Sequence, residues 1–391
     1  MHAYSKMSHP RRIAVAALFA AGISAMMAGA AGAEVFVQRN LVSDIPGLAS
    51  LTDPALKNPW GMSFSATSPF WISDQATNLS TLYTLAGGSI AKLGLEVAIP
   101  TTSTGPQGPT GQVFNNTSGF ALPGSTAARF IFANLNGSIA AWNPSAGTTA
   151  QVVVPATPGT VYTGLAINTD PTLGPLLYAA NTAGGEIEVY DSGFNELALG
   201  PGAFVNPDAS VAGLVPFNVQ SIGGKIYVTY APPGRAAQIA APRGSGAVAV
   251  FDTAGTFIRT LIADSALASP WGLALAPASF GRFGGDLLVG NFSFVASEIN
   301  AFDAVTGAFH GTLPIDDGGF GAGGLWALSF GNGVSGDANA LFFTDGINAE
   351  RNGLFAVIAV VPEPGTLVLL GAGFAGLALR RRSPRSGRHR A

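Results

Sequence analysis

The chain has 391 residues, of which 48% are hydrophobic and only 10% charged, against about 25% charged in an average soluble domain, so one large core can be buried. It has no cysteine, which excludes disulfides, Cys-ligated zinc, iron–sulfur clusters and thiol nucleophiles. The net charge of −3 is unevenly placed: residues 1–33 carry three basic groups and residues 365–391 six arginines, with no acid in either, leaving a body with 10 basic and all 22 acidic residues, a composition that argues against nucleic-acid binding and favours cations or neutral ligands.

The N-terminus reads as a secretory signal peptide over residues 1–33. Arg11 and Arg12 form its charged region, Ile13 to Ala28 is apolar, and Ala31-Gly32-Ala33 offers the small residues that a signal peptidase accepts, placing cleavage after Ala33. Next comes Val35 to Val42, a β-rich run with no obvious partner in its own neighbourhood.

From there a unit of about fifty residues recurs. Asn58-Pro59-Trp60-Gly61-Met62-Ser63-Phe64 returns as Ser269-Pro270-Trp271-Gly272-Leu273-Ala274-Leu275, with weaker copies between and one after, at Leu325-Trp326-Ala327-Leu328. The aligned positions are Gly61, Gly111, Gly164, Asn218, Gly272 and Ala327, spaced by 50, 53, 54, 54 and 55 residues. Each unit continues with a second apolar run, such as Phe70-Trp71-Ile72-Ser73 or Leu341-Phe342-Phe343-Thr344, and most with a third, such as Val250-Phe251-Asp252. Gly and Asn turns separate the runs, and no window of a dozen residues in 34–360 has a convincing helical period, so the runs read as strands. Three or four strands per unit in six near-equal steps predict an all-β, six-bladed β-propeller over residues 34–360. A pair of β-sandwiches would not predict equal steps. The small residue that opens each unit suits a first strand nearest the axis, where six strands converge. The sixth unit is one strand short, and the free run at residues 35–42 is expected to complete it and close the ring near Leu354 to Ile358.

The last segment, residues 361–391, has three parts in order: Pro362-Glu363-Pro364, the apolar stretch 365–379, and Arg380, Arg381 and Arg382. Fifteen apolar residues are short of the ~20 that span a bilayer, but flanking arginines can extend the reach, and they favour the cytoplasmic side. This tail resembles the PEP-CTERM sorting signal of Gram-negative bacteria. The resemblance implies a transient membrane anchor, removal near Pro362-Glu363-Pro364 by an exosortase, delivery to the cell surface or matrix, and association with exopolysaccharide or biofilm material. The body, from about Asn40 to Val357, resembles a family of secreted bacterial propellers similar to NHL and gluconolactonase-type propellers. That likeness rests on Leu41-Val42-Ser43-Asp44, Asn58-Pro59-Trp60-Gly61, Leu287-Leu288-Val289-Gly290-Asn291-Phe292 and Gly324-Leu325-Trp326. The loop Pro232 to Gly246, rich in Ala and Arg, and Ala327 in place of glycine depart from it.

Candidate chemistry is sparse. The body holds one histidine, His310, on an expected outer strand of the fifth unit, so neither a His-rich zinc site nor an axial triad can be assembled. Immediately after the second strands stand Asp74, Asn134, Asn181, Tyr230, Asn291 and Asp345. A propeller places such residues in a ring on one face. Two carboxylates and three amides are oxygen ligands of the kind Ca2+ accepts, while Asp and Asn at strand ends also serve turns. Gluconolactonase-like propellers hold one divalent metal at the channel mouth, which the resemblance makes an option here for Asp74 and Asp345 with Asn134, Asn181 and Asn291. Trp60, Trp271 and Trp326 share one repeat position and suit either inter-blade core or sugar stacking. The expected function is an exported envelope or matrix protein that binds a glycan or protein without catalysis. The alternative is a divalent-metal hydrolase or lactonase, disfavoured because no inner strand opens with Glu.

Overall fold

The computed structural model describes residues 35–263 and 265–361. The signal peptide, with Ala31 and Ala33, and the tail, with Pro362, Glu363, Pro364, Arg380, Arg381, Arg382 and the helix expected at 365–379, lie outside the described residues. Residues 37–359 make one structural unit.

Six sheets follow the six sequence units. Their first strands are Pro59–Ser63, Pro109–Phe114, Tyr162–Asp170, Val215–Ile222, Pro270–Leu275 and Leu325–Phe330. Each lies beside the first strands of the two neighbouring units, and the sixth lies beside the first, so the ring is closed as the repeat predicts. The second strands, Phe70–Asp74, Phe130–Asn134, Gly174–Asn181, Lys225–Ala231, Asp286–Asn291 and Leu341–Asp345, run antiparallel to them. Every one of these six pairings shifts register near the repeat's small residue, between Pro59 and Met62, for example, and between Pro270 and Leu273. Such a bulge bends the strand and raises its twist where the blades crowd together. The small residue has a steric reason. A Cβ on Gly61 would strike the Thr110 carbonyl oxygen, and one on Gly272 the Trp326 carbonyl oxygen. Asn218 stands at the same position in the fourth blade and meets the next blade differently, donating Nδ2–H to the Trp271 carbonyl at 2.8 Å.

Large apolar side chains fill the wedges between blades. Trp71 of the first blade packs with Phe130, Phe132 and Trp142 of the second. Between the sixth blade and the first, Leu41 and Val42 join Phe70, Phe342 and Phe355. These two residues come from Val35–Ser43, which lies beside Leu354–Val361 and supplies the missing strand of the sixth blade. The short strand Leu51–Thr52 then pairs in parallel with Val42 and Ser43 and covers part of the outer edge. The third blade has three strands, ending at Glu186–Tyr190. The one α-helix among the described residues, Arg235–Ile239, sits in the loop that departs from the family pattern.

Candidate functional site

The residue just before each small position decides what fills the axis. In the second and third blades it is Thr110 and Thr163, whose hydroxyls donate to the next blade's backbone, at Tyr162 O (2.8 Å) and Phe217 O (2.6 Å). In the other four it is Trp60, Phe217, Trp271 and Trp326, which join Phe292 in one buried cluster. Side chains from four blades meet here, so the cluster lies on the axis. Trp60 and Trp326 stack with ring centroids 3.4 Å apart at 20°, and Trp271 stands edge-on to both, at 6.2 and 5.5 Å. Two of the three indole N–H groups are bound, Trp271 to Thr163 O at 2.9 Å and Trp326 to Asn58 Oδ1 at 3.1 Å. The tryptophans therefore serve as core, as inter-blade packing requires.

Above the cluster lies the Arg235 guanidinium, 4.2 Å from the Phe292 ring centroid and 5.3 Å from those of Trp60 and Trp326. A cation over aromatic faces is attracted by their quadrupoles. Arg235 also bonds and pairs with Glu350, joining a fourth-blade loop to a sixth-blade loop across the mouth. Glu350 belongs to an unusual turn. Asn348, Ala349 and Glu350 have φ of 57°, 54° and 62°, and Glu350 N donates to Gly346 O at 2.7 Å, making one turn of left-handed helix. That conformation costs an L-residue about 1–2 kcal/mol, least for Asn. Strain of this kind persists only where the surroundings impose it, and it concentrates at functional sites. Beside the pair opens a pocket of about 380 Å³, bordered by Trp60, Gln75, Thr163, Arg235, Gln238 and Glu350.

The six residues of the expected ring are level with one another, because each pairs with the opening of its own inner strand: Asp74 with Pro59, Asn134 with Pro109, Asn181 with Tyr162, Tyr230 with Pro216, Asn291 with Pro270 and Asp345 with Leu325. All six are buried, and the side-chain bonds of Asp74, Asn134, Asn181 and Asn291 stay within their own blades or adjoining loops. Asn181 Oδ1 accepts from Gly184 N at 2.9 Å while its Nδ2 donates to Glu188. Asn291 bridges Ala268 N and Ala266 O, and Asn134 Nδ2 reaches Ser138. Asp74 Oδ2 accepts from Thr81 Oγ1 at 2.7 Å. One oxygen each of Asp74, Asp345 and Asn134 is buried without a hydrogen-bond partner. Burial raises the Asp74 carboxyl well above its usual range despite the Thr81 bond, and pushes Asp345 up to about 7, with Asp317 and Glu350 adding repulsion. Among the described residues, no group of three or more His, Asp or Glu side chains is placed to hold a metal ion. As its place in the fifth unit predicts, His310 lies on the outer strand Phe309–Leu313; there it contacts Asp286 at 2.9 Å.

Arg235 and Glu350 are absent from the expected site. The Ala- and Arg-rich character of loop 232–246 marked the first region as a departure; nothing in the sequence around Glu350 marks a left-handed turn.

Comparison with known proteins agrees with the fold and the tail. Residues 360–382 match the PEP-CTERM protein-sorting motif. The chain is similar to a streptogramin B lyase structure (TM-score 0.50, 10% identity, covering 84% of this chain and 98% of that one). It is also similar to an auxiliary nutrient binding protein from Bacteroides thetaiotaomicron (TM-score 0.52, 11% identity, 85% and 78%). At such identities the likeness concerns the fold alone. Two proteins of Acanthamoeba polyphaga mimivirus are closer in sequence. Uncharacterized protein R648 is 32% identical over 275 residues, 67% of this chain and 66% of that protein. Uncharacterized protein L690 is 30% identical over 275 residues, 67% of this chain and 70% of that protein. The matched stretch thus spans about two thirds of either relative. With its six blades, its sorting tail and this shared sequence, the chain belongs to the propeller family that includes the mimivirus protein L690, here in an exported, exosortase-sorted form.

Proposed function

We propose that this protein is a non-catalytic binding module of the envelope or extracellular matrix of a Gram-negative bacterium, and that it holds exopolysaccharide at the mouth spanned by Arg235 and Glu350. In this reading the stretch 365–379 tethers it briefly to the membrane, and an exosortase cuts near Pro362-Glu363-Pro364. The observation that carries the proposal is the ion pair itself. A strained left-handed turn is maintained to hold Glu350 against an arginine above stacked aromatic rings, beside an open pocket. Glycine adopts φ near +62° freely, so Glu350→Gly should relieve strain, offset the lost ion pair and melt no lower than the native chain. Binding to exopolysaccharide secreted by the producing bacterium should nonetheless fall about tenfold or more in Glu350→Gly and Arg235→Ala. Co-sedimentation with that polysaccharide reads the change, and undiminished binding by both variants would rule the site out.

A second reading, a divalent-metal hydrolase, is favoured by the unpartnered oxygens of Asp74 and Asp345. Against it stands the lack, among the described residues, of three His, Asp or Glu side chains placed to hold one ion. Titration separates the readings. The folded Asp345 pKa of about 7 lies above the unfolded carboxylate value near 3.9, so the native state holds more protons between the two. Its contribution is full below about pH 4 and is lost as pH rises towards 7. Asp345→Asn should therefore flatten part of that loss and melt higher than the native chain at pH 8 without calcium. A bound cation would reverse the order: calcium would stabilise the native chain at pH 8 and leave the variant unmoved. No calcium effect on either chain would remove the metal reading.

A further inference from the structure

The opposite mouth of the axis differs in kind. There the inner strands of five blades end around a cavity of about 440 Å³. Its polar border comes from Ser63, Asn116, Asn168, Thr169, Gln220, Ser221 and Ser329, hydroxyls and amides on five separate blades. No ionisable side chain among the described residues lines it, although the body carries a large negative excess. A cation or an anion would find no countercharge here, and an anion would also face the field of the body. Hydrogen-bonding capacity is left over. Gln220 Nε2 spends itself on Leu273 O at 2.7 Å, leaving its amide oxygen to accept, and the exposed Thr169 hydroxyl stands on the rim. The apolar part of the lining includes the half-buried rings of Phe64 and Phe114. These rings are braced from behind by Phe70 and Phe130, at centroid distances of 4.9 and 5.5 Å.

Uncharged donors and acceptors beside rigid aromatic rings suit a ligand whose hydroxyls both give and take hydrogen bonds and whose C–H face is apolar. The size is that of a small-molecule site. We infer that this mouth is a second binding site, for a neutral saccharide, separate from the Arg235–Glu350 mouth. The separation is physical: Met62 borders the cavity and packs against the tryptophan cluster that fills the axis between the two mouths.

Saturation-transfer NMR on the exported chain tests this with three neutral probes, cellotetraose, xylotetraose and mannotetraose, and one acidic probe, tetragalacturonate. Thr169→Trp fills the rim of the uncharged mouth from an exposed strand position; Ala183→Trp fills the other. At least one neutral tetraose should saturate with the native and Ala183→Trp chains alike, and its affinity should fall about tenfold or more in Thr169→Trp. If Thr169→Trp melts early, Ser221→Trp on another blade makes the same test. Binding that survives filling of this mouth, binding of tetragalacturonate alone, or failure of all three neutral tetraoses overturns the inference. None of these results bears on the fate of the Arg235–Glu350 reading, which uses a different probe and different variants.

Discussion

A chain beginning at Pro46 is expected to lose several kcal/mol of stability and to associate. It lacks Val35–Ser43 and with it Leu41 and Val42, both fully buried between the sixth blade and the first. Burying each such side chain is worth about 1.5–3 kcal/mol, so the pair alone approaches the ~5–15 kcal/mol that holds a whole domain together. Polar closure goes as well. Ser43 Oγ donates to Gly353 O at 2.7 Å, and the Asp44 carboxylate accepts from Asn352 Nδ2 at 2.8 Å and Gly353 N at 2.9 Å. What remains is Leu354–Val361 as a bare edge, a template for pairing with another copy. Thermal melting and sedimentation read both effects. A shortened chain that melts like the native one and sediments as a monomer would contradict closure by this strand.

Trp326→Ala should be the most damaging single substitution, at about 3–5 kcal/mol. The side chain is fully buried, stacks on Trp60 at 3.4 Å and on Phe292 at 4.5 Å, and meets Trp271 edge-on. Removing it leaves a cavity on the axis that no one blade can close, since the surrounding residues belong to different blades. It also frees Asn58 Oδ1 from its indole donor. Trp326→Phe keeps most of the stacking area and loses the N–H, so it should cost less. Urea unfolding of both variants gives the comparison. A loss below about 1 kcal/mol for Trp326→Ala would mean that the axis is not packed as described.

Some features of the site were readable in the chain and some were not. The tryptophan positions share a register in the repeat, and the structure joins them in one cluster. The Asx residues share a register too and stand level with one another, and Asp74, Asn181 and Asn291 bond within their own blades or adjoining loops. Arg235 lies in a loop whose composition was unusual, while Glu350 is set by three consecutive left-handed residues of which only Asn348 favours that conformation. The bulge at every inner strand was equally silent, since nothing at Trp60-Gly61 or Trp271-Gly272 distinguishes a bulged strand from a regular one.

The sequence by itself determined the number of blades, the closing strand and the export address. Each is a matter of order along the chain: equal steps between small residues, a β-rich run left without a partner, and a tail whose three parts stand in sequence. Only the tertiary structure decided what the two mouths contain. Arg235 and Glu350 are 115 positions apart, and Ser63 and Ser329 come from different ends of the ring. No local preference or period relates such residues. They meet because a closed ring turns every blade towards one axis, and which side chains then share a mouth depends on strand register and loop path rather than on distance in sequence.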